Sequence, residues 1–169
     1  MRRFAALFAV GLLFALGLLL GGAGTSARAQ GITGVGSHPK SHVEFVGEPQ
    51  AIAANKPATV ELRFRVENGF HINSHTPKSD LLIPTKIAID DLAGVTLKTV
   101  DFPKGAEYSF AFDPSEKLDV YTGEFVLSAR VTAKPGNYTL KAALHYQACD
   151  NAACYPPKTL PVEANFTAK

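Results

Sequence analysis

The chain has 169 residues, and its 17 Lys and Arg side chains nearly balance its 15 Asp and Glu side chains, which gives a formal net charge of +2 at pH 7. This balance excludes the strongly basic surface that is typical of proteins binding nucleic acid or anionic membranes. The length is sufficient for one domain with a buried core.

The first 29 residues have the pattern of a secretory signal peptide. Arg2 and Arg3 supply the positive end, residues 4–20 form an uncharged apolar run, and residues 27–29 offer small side chains at both cleavage positions. We predict cleavage after residue 29, export to the periplasm and no stable membrane insertion afterwards. An uncleaved N-terminal anchor is the alternative, because the apolar run lies at the short limit for a membrane span. In both cases the residues after the run are exported.

The following residues change from a glycine-rich segment to a strand pattern. Residues 30–41 predict a flexible N-terminal segment. From residue 42 onwards the hydrophobic period is two, which is typical of half-buried strands. Clear alternation predicts strands at 60–66, 125–131, 138–146 and 160–166, and weaker patterns predict strands at 42–46, 85–90 and 95–101. Pro161 interrupts the last clear pattern, so we expect that strand to lie at a sheet edge or to begin after the proline.

Seven or eight short strands, separated by turns and without a convincing helical pattern, predict an all-β fold. The expected architecture over residues 42–169 is an immunoglobulin-like antiparallel β-sandwich. Residues 103–119 resist strand assignment and predict a long loop, and a loop of that length in a compact domain usually has a function. No arrangement of residues for hydrolysis is visible, and we expect no bound cofactor.

The two cysteines, Cys149 and Cys154, lie between two predicted strands and face each other across a tight connection. Opposed residues of an antiparallel pair have Cα atoms ~4.5–5.5 Å apart, which suits a disulfide, and an exported pair is expected to be oxidised. Closing a loop of about six residues stabilises the fold by only about 2 kcal/mol, whereas an exposed bridge is open to an attacking thiolate. These residues alone leave open whether the bond is structural or redox-active.

Metal binding is a third interpretation of the cysteine pair. The two thiols would need further ligands, for which His145, His71 and His75 are the candidates. His145 precedes Cys149 by four residues, ~13 Å along a strand, which is too far to share an ion. His71 and His75 could come from elsewhere in the fold, but because the sequence offers no close third ligand we expect no metal site.

The residues around the cysteines resemble a known family. The flanking sequences Tyr146-Gln147-Ala148-Cys149 and Cys154-Tyr155-Pro156-Pro157-Lys158-Thr159 resemble the redox motif of the N-terminal periplasmic domain of the thiol:disulfide interchange protein DsbD. Residues 67–73, followed by 82–85, are similar to a second stretch of that family. The resemblance covers most of residues 42–166 and favours the redox interpretation.

This resemblance implies an immunoglobulin-like fold and a protein-disulfide reductase activity. The domain would receive electrons from a thioredoxin-like donor and pass them to oxidised periplasmic thiol proteins, such as disulfide isomerases and cytochrome c maturation factors. Cys154 would make the mixed disulfide with a partner, and Cys149 would resolve it. The resemblance ends with this domain, so we expect a stand-alone monomer whose donor is another protein.

The resemblance also implies an aromatic cap over the cysteines. The matching segment, 103–119, offers Phe110 and Phe112, and ordinary core packing is the alternative for each. Phe70, His71 and Tyr155 are the other residues expected to shield or orient the pair. His71 is a candidate to orient or deprotonate a thiol, but we expect it to be a surface residue. A non-catalytic binding module with a structural disulfide remains the alternative function.

Overall fold

The computed structural model describes residues 40–110 and 113–169 of the chain. The expected signal peptide (1–29), nearly all of the expected flexible segment (30–41) and Phe112 lie outside the described residues. Within the described part the chain forms strands and no helix, and so contains no helix long and apolar enough to cross a membrane.

The described residues form twelve β-strands. These are β1 Val43–Phe45, β2 Gln50–Ile52, β3 Pro57–Val66, β4 His71–Asn73, β5 Lys86–Ile89, β6 Val95–Asp101, β7 Ala106–Phe110, β8 Asp113–Tyr121, β9 Glu124–Ala133, β10 Gly136–Tyr146, β11 Ala148–Cys149 and β12 Lys158–Ala168. All seven predicted strands are present. The predictions missed β2, β4 and β11, which have only two or three residues each, and β7 and β8.

Two four-stranded sheets form an immunoglobulin-like sandwich, which confirms the predicted fold class. One sheet has the order β1-β3-β9-β6 and the other has the order β2-β12-β10-β5. The pairs are antiparallel except for β2 and β12, which are parallel. A third sheet, of order β11-β4-β8-β7, carries one of the cysteines and was not predicted.

One hydrophobic cluster fills the space between the two main sheets. Alternate side chains of β3, β9, β10 and β12 supply most of it: Val60, Leu62, Phe64, Leu127, Ala129, Val131, Leu140, Leu144, Val162, Ala164 and Phe166. Each of these side chains is at most 2% exposed, which is why the period of two in the sequence is so regular. The alternating polar residues of the same strands face solvent.

The segment 103–119 is not the long loop that the sequence predicted. Most of it belongs to the β-hairpin of β7 and β8, which pair antiparallel with a register shift between Tyr108 and Phe110. The hairpin has few apolar residues, and Lys, Glu, Asp and Ser residues of the exposed strand face stand between them. The sequence of the hairpin therefore shows no clear hydrophobic alternation. The hairpin belongs to the third sheet because β8 pairs with β4 at Ile72 and Asn73.

The prediction for the last strand was also wrong at Pro161. β12 begins before the proline, and Pro161 lies opposite Ala143 of β10. β12 is an inner strand of its sheet, but β2 pairs with it only at residues 166–168. Pro161 is therefore tolerated because no strand of the described residues pairs with β12 on its other side at that point.

Candidate functional site

The two cysteines form a disulfide at the end of the third sheet. Cys149 ends β11, and Cys154 forms an isolated antiparallel bridge with it across a five-residue separation. Their Cα atoms are 4.0 Å apart, slightly closer than in an ordinary strand pair. The pair occupies the tight connection that the sequence predicted.

Asp150 holds the loop between the cysteines in shape. Its Oδ1 accepts hydrogen bonds from the backbone N–H groups of Ala152, at 2.7 Å, and Ala153, at 2.8 Å. Its Oδ2 accepts a hydrogen bond from the Tyr155 hydroxyl at 2.7 Å. These bonds, the Tyr155 bond foremost, lower the pKa of Asp150 below its ordinary value. The loop therefore carries a fixed negative charge next to Cys149.

The two cysteines differ in their access to solvent. Cys149 is 1% exposed and belongs to the buried residues of the domain, whereas Cys154 is exposed. The difference arises because Cys149 is part of the paired strand β11, while Cys154 follows an exposed turn. Cys154 is therefore the cysteine that another protein can approach directly from solvent.

His71 lies directly opposite Cys149 in the register of β4 and β11. It is 2% exposed, so the expectation that it is a surface residue was wrong. Its Nε2 is buried and has no hydrogen-bond partner among the described residues. Burial lowers the pKa of His71, and the negative charge of Asp150 opposes part of that effect.

Several aromatic side chains lie close to His71 and to Tyr155, the residue after Cys154. On the hairpin side, the ring of Tyr108 lies 4.3 Å from the ring of His71 between centroids, and Phe110 lies 6.1 Å from it. The Tyr108 hydroxyl donates a hydrogen bond to Asn151 Oδ1, which ties the hairpin to the cysteine loop. The structure thus brings Phe110 to the site, while Phe112 lies outside the described residues.

The opposite side of the site is formed by Phe70, Tyr155 and His42. The rings of Phe70 and Tyr155 are 5.8 Å apart, and His42 stacks on Phe70 at 3.8 Å. His42 is held in turn by Glu67, whose Oε2 is 2.8 Å from His42 Nδ1. The hydrogen bonds from Lys40 and His42 lower the pKa of Glu67 below its ordinary value.

The sequence interpretation missed Tyr108, Asn151 and His42. Tyr108 is two residues from Phe110, so recognising β7 as a strand would have placed both on one side of the hairpin. Asn151 lies inside the cysteine loop, but its role depends on a hairpin that is remote in the sequence. His42 lies at the start of the domain, and no local pattern connects it with Phe70.

A shallow cavity of about 250 Å³ opens beside the cysteine loop. Phe70, His71, Tyr108 and Asn151 line one part of it, and the turns at Gly69 and Gly123 line the rest. Within residues 40–110 and 113–169, no three His, Cys, Asp or Glu side chains are grouped closely enough to hold a metal ion.

The fold and the site together define the class of protein. A small all-β domain holds a disulfide in a short loop at its end, with one cysteine exposed and the other buried. Exposed bridges of this kind react with attacking thiolates. The class is that of a β-sandwich domain built for thiol–disulfide interchange.

The chain belongs to the family described as “Thiol:disulfide interchange protein DsbD, N-terminal”, whose model matches residues 42–165. This match confirms the resemblance inferred from the cysteine motif, and it assigns thiol:disulfide interchange to the chain at the level of the family. No curated protein sequence matches the chain significantly.

Three solved structures are similar to the chain. The Neisseria meningitidis DsbD N-terminal domain in the reduced form is 20% identical, with 70% of this chain and 86% of that chain covered and a TM-score of 0.43. A complex between the DsbD and PilB N-terminal domains of the same organism gives 21% identity, 66% and 77% coverage and a TM-score of 0.42. The N-terminal periplasmic domain of ScsB from Proteus mirabilis gives 13% identity, 73% and 46% coverage and a TM-score of 0.44.

Proposed function

We propose that this chain is an exported protein-disulfide reductase domain that passes reducing equivalents between periplasmic thiol proteins through Cys149 and Cys154. The observation that carries the proposal is the unequal exposure of the two cysteines. Disulfide exchange proceeds by attack of a thiolate on one sulfur of the bond, and the exposure of Cys154 supports attack at that residue. Cys154 is therefore the residue that forms the mixed disulfide, and Cys149 is the resolving residue.

Reduction of the domain begins when a thiolate of a reduced, thioredoxin-like donor attacks the sulfur of Cys154. A new bond joins the donor sulfur to Cys154, the bond between Cys154 and Cys149 breaks, and Cys149 leaves as a thiolate that takes up a proton. The second donor thiol then loses its proton and attacks the donor sulfur in the mixed disulfide. Cys154 is released, the donor is oxidised to a disulfide, and the domain holds two thiols.

Reduction of an acceptor follows the same steps in the opposite direction. The Cys154 thiolate attacks the disulfide of an oxidised periplasmic protein and releases one of its sulfurs as a thiolate. Cys149 then attacks Cys154, which restores the bridge and releases the reduced acceptor. Two electrons and two protons pass from donor to acceptor, and no cofactor enters the balance.

The aromatic residues around the pair shield it between encounters. Phe70 packs near Tyr155, which follows Cys154, and Phe110 packs near His71, which is paired with Cys149. Shielding suits a courier of reducing equivalents because a freely exposed dithiol would be oxidised by small molecules before it met its acceptor. A partner that displaces part of this cover gains access to Cys154.

The proposal is tested by trapping mixed disulfides. A Cys149→Ala variant keeps the attacking thiol of Cys154 but lacks the resolving thiol. We expect it to accumulate a covalent complex with a thioredoxin-like protein that lacks its own resolving cysteine and carries its remaining cysteine as a mixed disulfide with thionitrobenzoate, which is the leaving group. The complex is visible on a non-reducing gel and is lost on addition of reductant. The matched control is Cys154→Ala, which retains only the buried thiol and is expected to form no complex.

Two outcomes would contradict the proposal. Equal trapping by both variants would show that exposure does not select the attacking cysteine. A reduction potential well below about −300 mV, the range of structural disulfides, together with no complex from Cys149→Ala, would indicate an inert bridge in a non-catalytic binding domain.

A further inference from the structure

The buried nitrogen of His71 is left without a partner in the disulfide form of the protein. Nε2 is fully buried, and no hydrogen-bonding atom of the described residues reaches it. A buried polar group without a partner costs about 1–3 kcal/mol, so its persistence calls for a reason. One such reason is that this nitrogen gains a hydrogen-bond partner in another redox state of the protein.

The residue opposite His71 is the one whose chemistry changes between the two redox states. Cys149 and His71 are directly paired across β11 and β4, and side chains opposed in this way have Cβ atoms ~4.5–5.5 Å apart on the same face of the sheet. A disulfide sulfur has no proton to give. A thiol of Cys149, formed on reduction, has a proton within the reach of this neighbour.

The surroundings of His71 favour a neutral imidazole that accepts a proton briefly. The groups that titrate near it are Cys149 on β11, Asp150 in the following turn, Tyr108 on β7 and, across the small cavity, Glu67. Burial keeps the resting imidazole neutral, and the carboxylate of Asp150 stabilises a positive charge on it. Glu67 is already engaged by Lys40 and His42.

We propose that His71 is the general base that deprotonates the buried thiol of Cys149 during resolution of the mixed disulfide. This inference rests on the proposed function, in which Cys149 is the resolving cysteine. It assigns to His71 the deprotonation of the Cys149 thiol, which the exposure of the two cysteines does not explain. A buried thiol has no water at hand to take its proton, and the thiolate is the nucleophile.

The step balances as follows. Nε2 takes the proton of the Cys149 thiol, and the resulting thiolate attacks the sulfur of Cys154. The bond between Cys154 and the partner sulfur breaks, and the partner leaves as a thiolate. The imidazolium returns the proton to solvent or to this leaving thiolate, so His71 ends neutral. In the reverse direction the imidazolium protonates Cys149 as it leaves Cys154.

The two chemical steps are separated by an aromatic disulfide reagent, dithiobis(nitrobenzoate). The reduced protein releases a first coloured thionitrobenzoate when Cys154 attacks the reagent, and a second when Cys149 resolves the mixed disulfide. Stopped-flow absorbance therefore gives one rate for each cysteine. The first phase reports the exposed thiol, and the second reports the buried thiol with its base.

We expect His71→Gln to slow the second phase and to leave the first phase within about twofold of the native rate. At about pH 7 only a few per cent of an ordinary thiol of pKa about 8.5 is ionised, so loss of the base is expected to slow resolution roughly 30-fold. The matched control is His145→Gln, because His145 is an exposed histidine that contacts Thr159. It is expected to change neither phase.

The pH profile separates a base from a structural role. In the native protein the second phase is expected to rise with pH below about 6.5, the ordinary value for histidine, and to level off above it. In His71→Gln the rise is expected to follow ionisation of the thiol itself, at a higher pH. A native profile without a rise below about 6.5 would overturn the proposal even if the variant did not fold.

The inference and the proposed function fail in different ways. Equal second-phase rates in the native protein and folded His71→Gln would refute the role of His71 while leaving the courier function intact. Failure of Cys149→Ala to trap a protein partner would refute the courier function, and with it the relevance of the proton transfer, whatever the second phase shows.

Discussion

The two sulfurs of a disulfide can have different roles in thiol–disulfide exchange when one of the cysteines is buried. Cys149 is held by the pairing of β11 with β4 and is 1% exposed, whereas Cys154 follows a turn shaped by Asp150 and is exposed. Under the proposed function, we expect a partner to select Cys154 because of this difference in exposure. This division of labour requires neither a helix dipole nor a neighbouring cation.

The buried imidazole of His71 makes stability depend on pH. Burial sets its pKa in the folded state below the ordinary value of 6.5. The unfolded chain therefore binds a proton that the folded chain resists, and stability falls as the pH drops below about 6.5 towards the folded pKa. We expect His71→Phe to lose less stability than the native protein over this window.

Urea unfolding at about pH 7.5 and about pH 5.5, on either side of the ordinary histidine pKa, measures the effect. The two proteins differ only at residue 71, so the difference between their pH dependences isolates His71. An equal loss of stability in both would contradict a neutral, buried imidazole at this position.

At the scale of elements, the hairpin of β7 and β8 is joined to the rest of its sheet through β4 and to the cysteine loop through the Tyr108 side chain. β8 is anchored to β4 through its last residues, Val120 and Tyr121, and the N–H of Ser74, just after β4, donates to the carbonyl of Asp119 at 2.9 Å. The hairpin also carries exposed ion pairs of Glu107 with Lys117 and Lys78, which are weak. The hydrogen bond from Tyr108 to Asn151 is its link to the cysteine loop.

We therefore expect Tyr108→Phe to make the disulfide more accessible. The change removes one hydrogen bond, worth about 1 kcal/mol, and keeps the ring against His71. Reduction by a small dithiol, followed by alkylation and mass spectrometry, is expected to be about fivefold faster. Tyr138→Phe is the control, because the Tyr138 hydroxyl bonds the carbonyl of Lys134 away from the site.

A Tyr108→Phe protein that is reduced at the native rate would show that this bond does not control access. A Tyr138→Phe protein that is reduced faster would point to a loss of stability in the whole domain as the cause.

At the scale of the whole molecule, an aromatic stack joins the sandwich to the sheet that carries the site. Phe64 of β3 stacks on Phe125 of β9 at 5.2 Å, and Phe125 stacks on Tyr121 of β8 at 4.7 Å. The hydroxyl of Tyr121 donates to the carbonyl of Pro103 at 3.0 Å. The core of the domain thus supports the strand that pairs with β4.

Phe64→Ala tests this support. The side chain is 0% exposed, and truncating a buried phenylalanine costs about 3–5 kcal/mol because a cavity remains. Urea unfolding is expected to show this loss. Leu97→Ala is the control: Leu97 is 40% exposed on β6, and surface changes of this kind alter stability by about 0.5 kcal/mol or less.

A loss below about 1 kcal/mol for Phe64→Ala would mean that the core collapses around the missing ring. The stack would then not be the support described above.

The long strands were predictable because burial of one face imposes a chemical pattern on them. Val60, Leu62 and Phe64 alternate with charged residues, and the same pattern marks β9, β10 and β12. The short strands β4 and β11 have all of their residues buried, and a run of two or three residues has no period to detect. The hairpin of β7 and β8 lacks the pattern because most of its side chains are exposed or half-buried.

The sequence by itself determined the family, the sandwich and the cysteine pair, because these depend on local motifs and on hydrophobic period. Only the tertiary structure decided that Cys149 is buried and Cys154 exposed, and that His71 lies opposite Cys149. Burial and register arise from strands that are distant along the chain. A pattern confined to neighbouring residues carries no information about which remote strand will cover them.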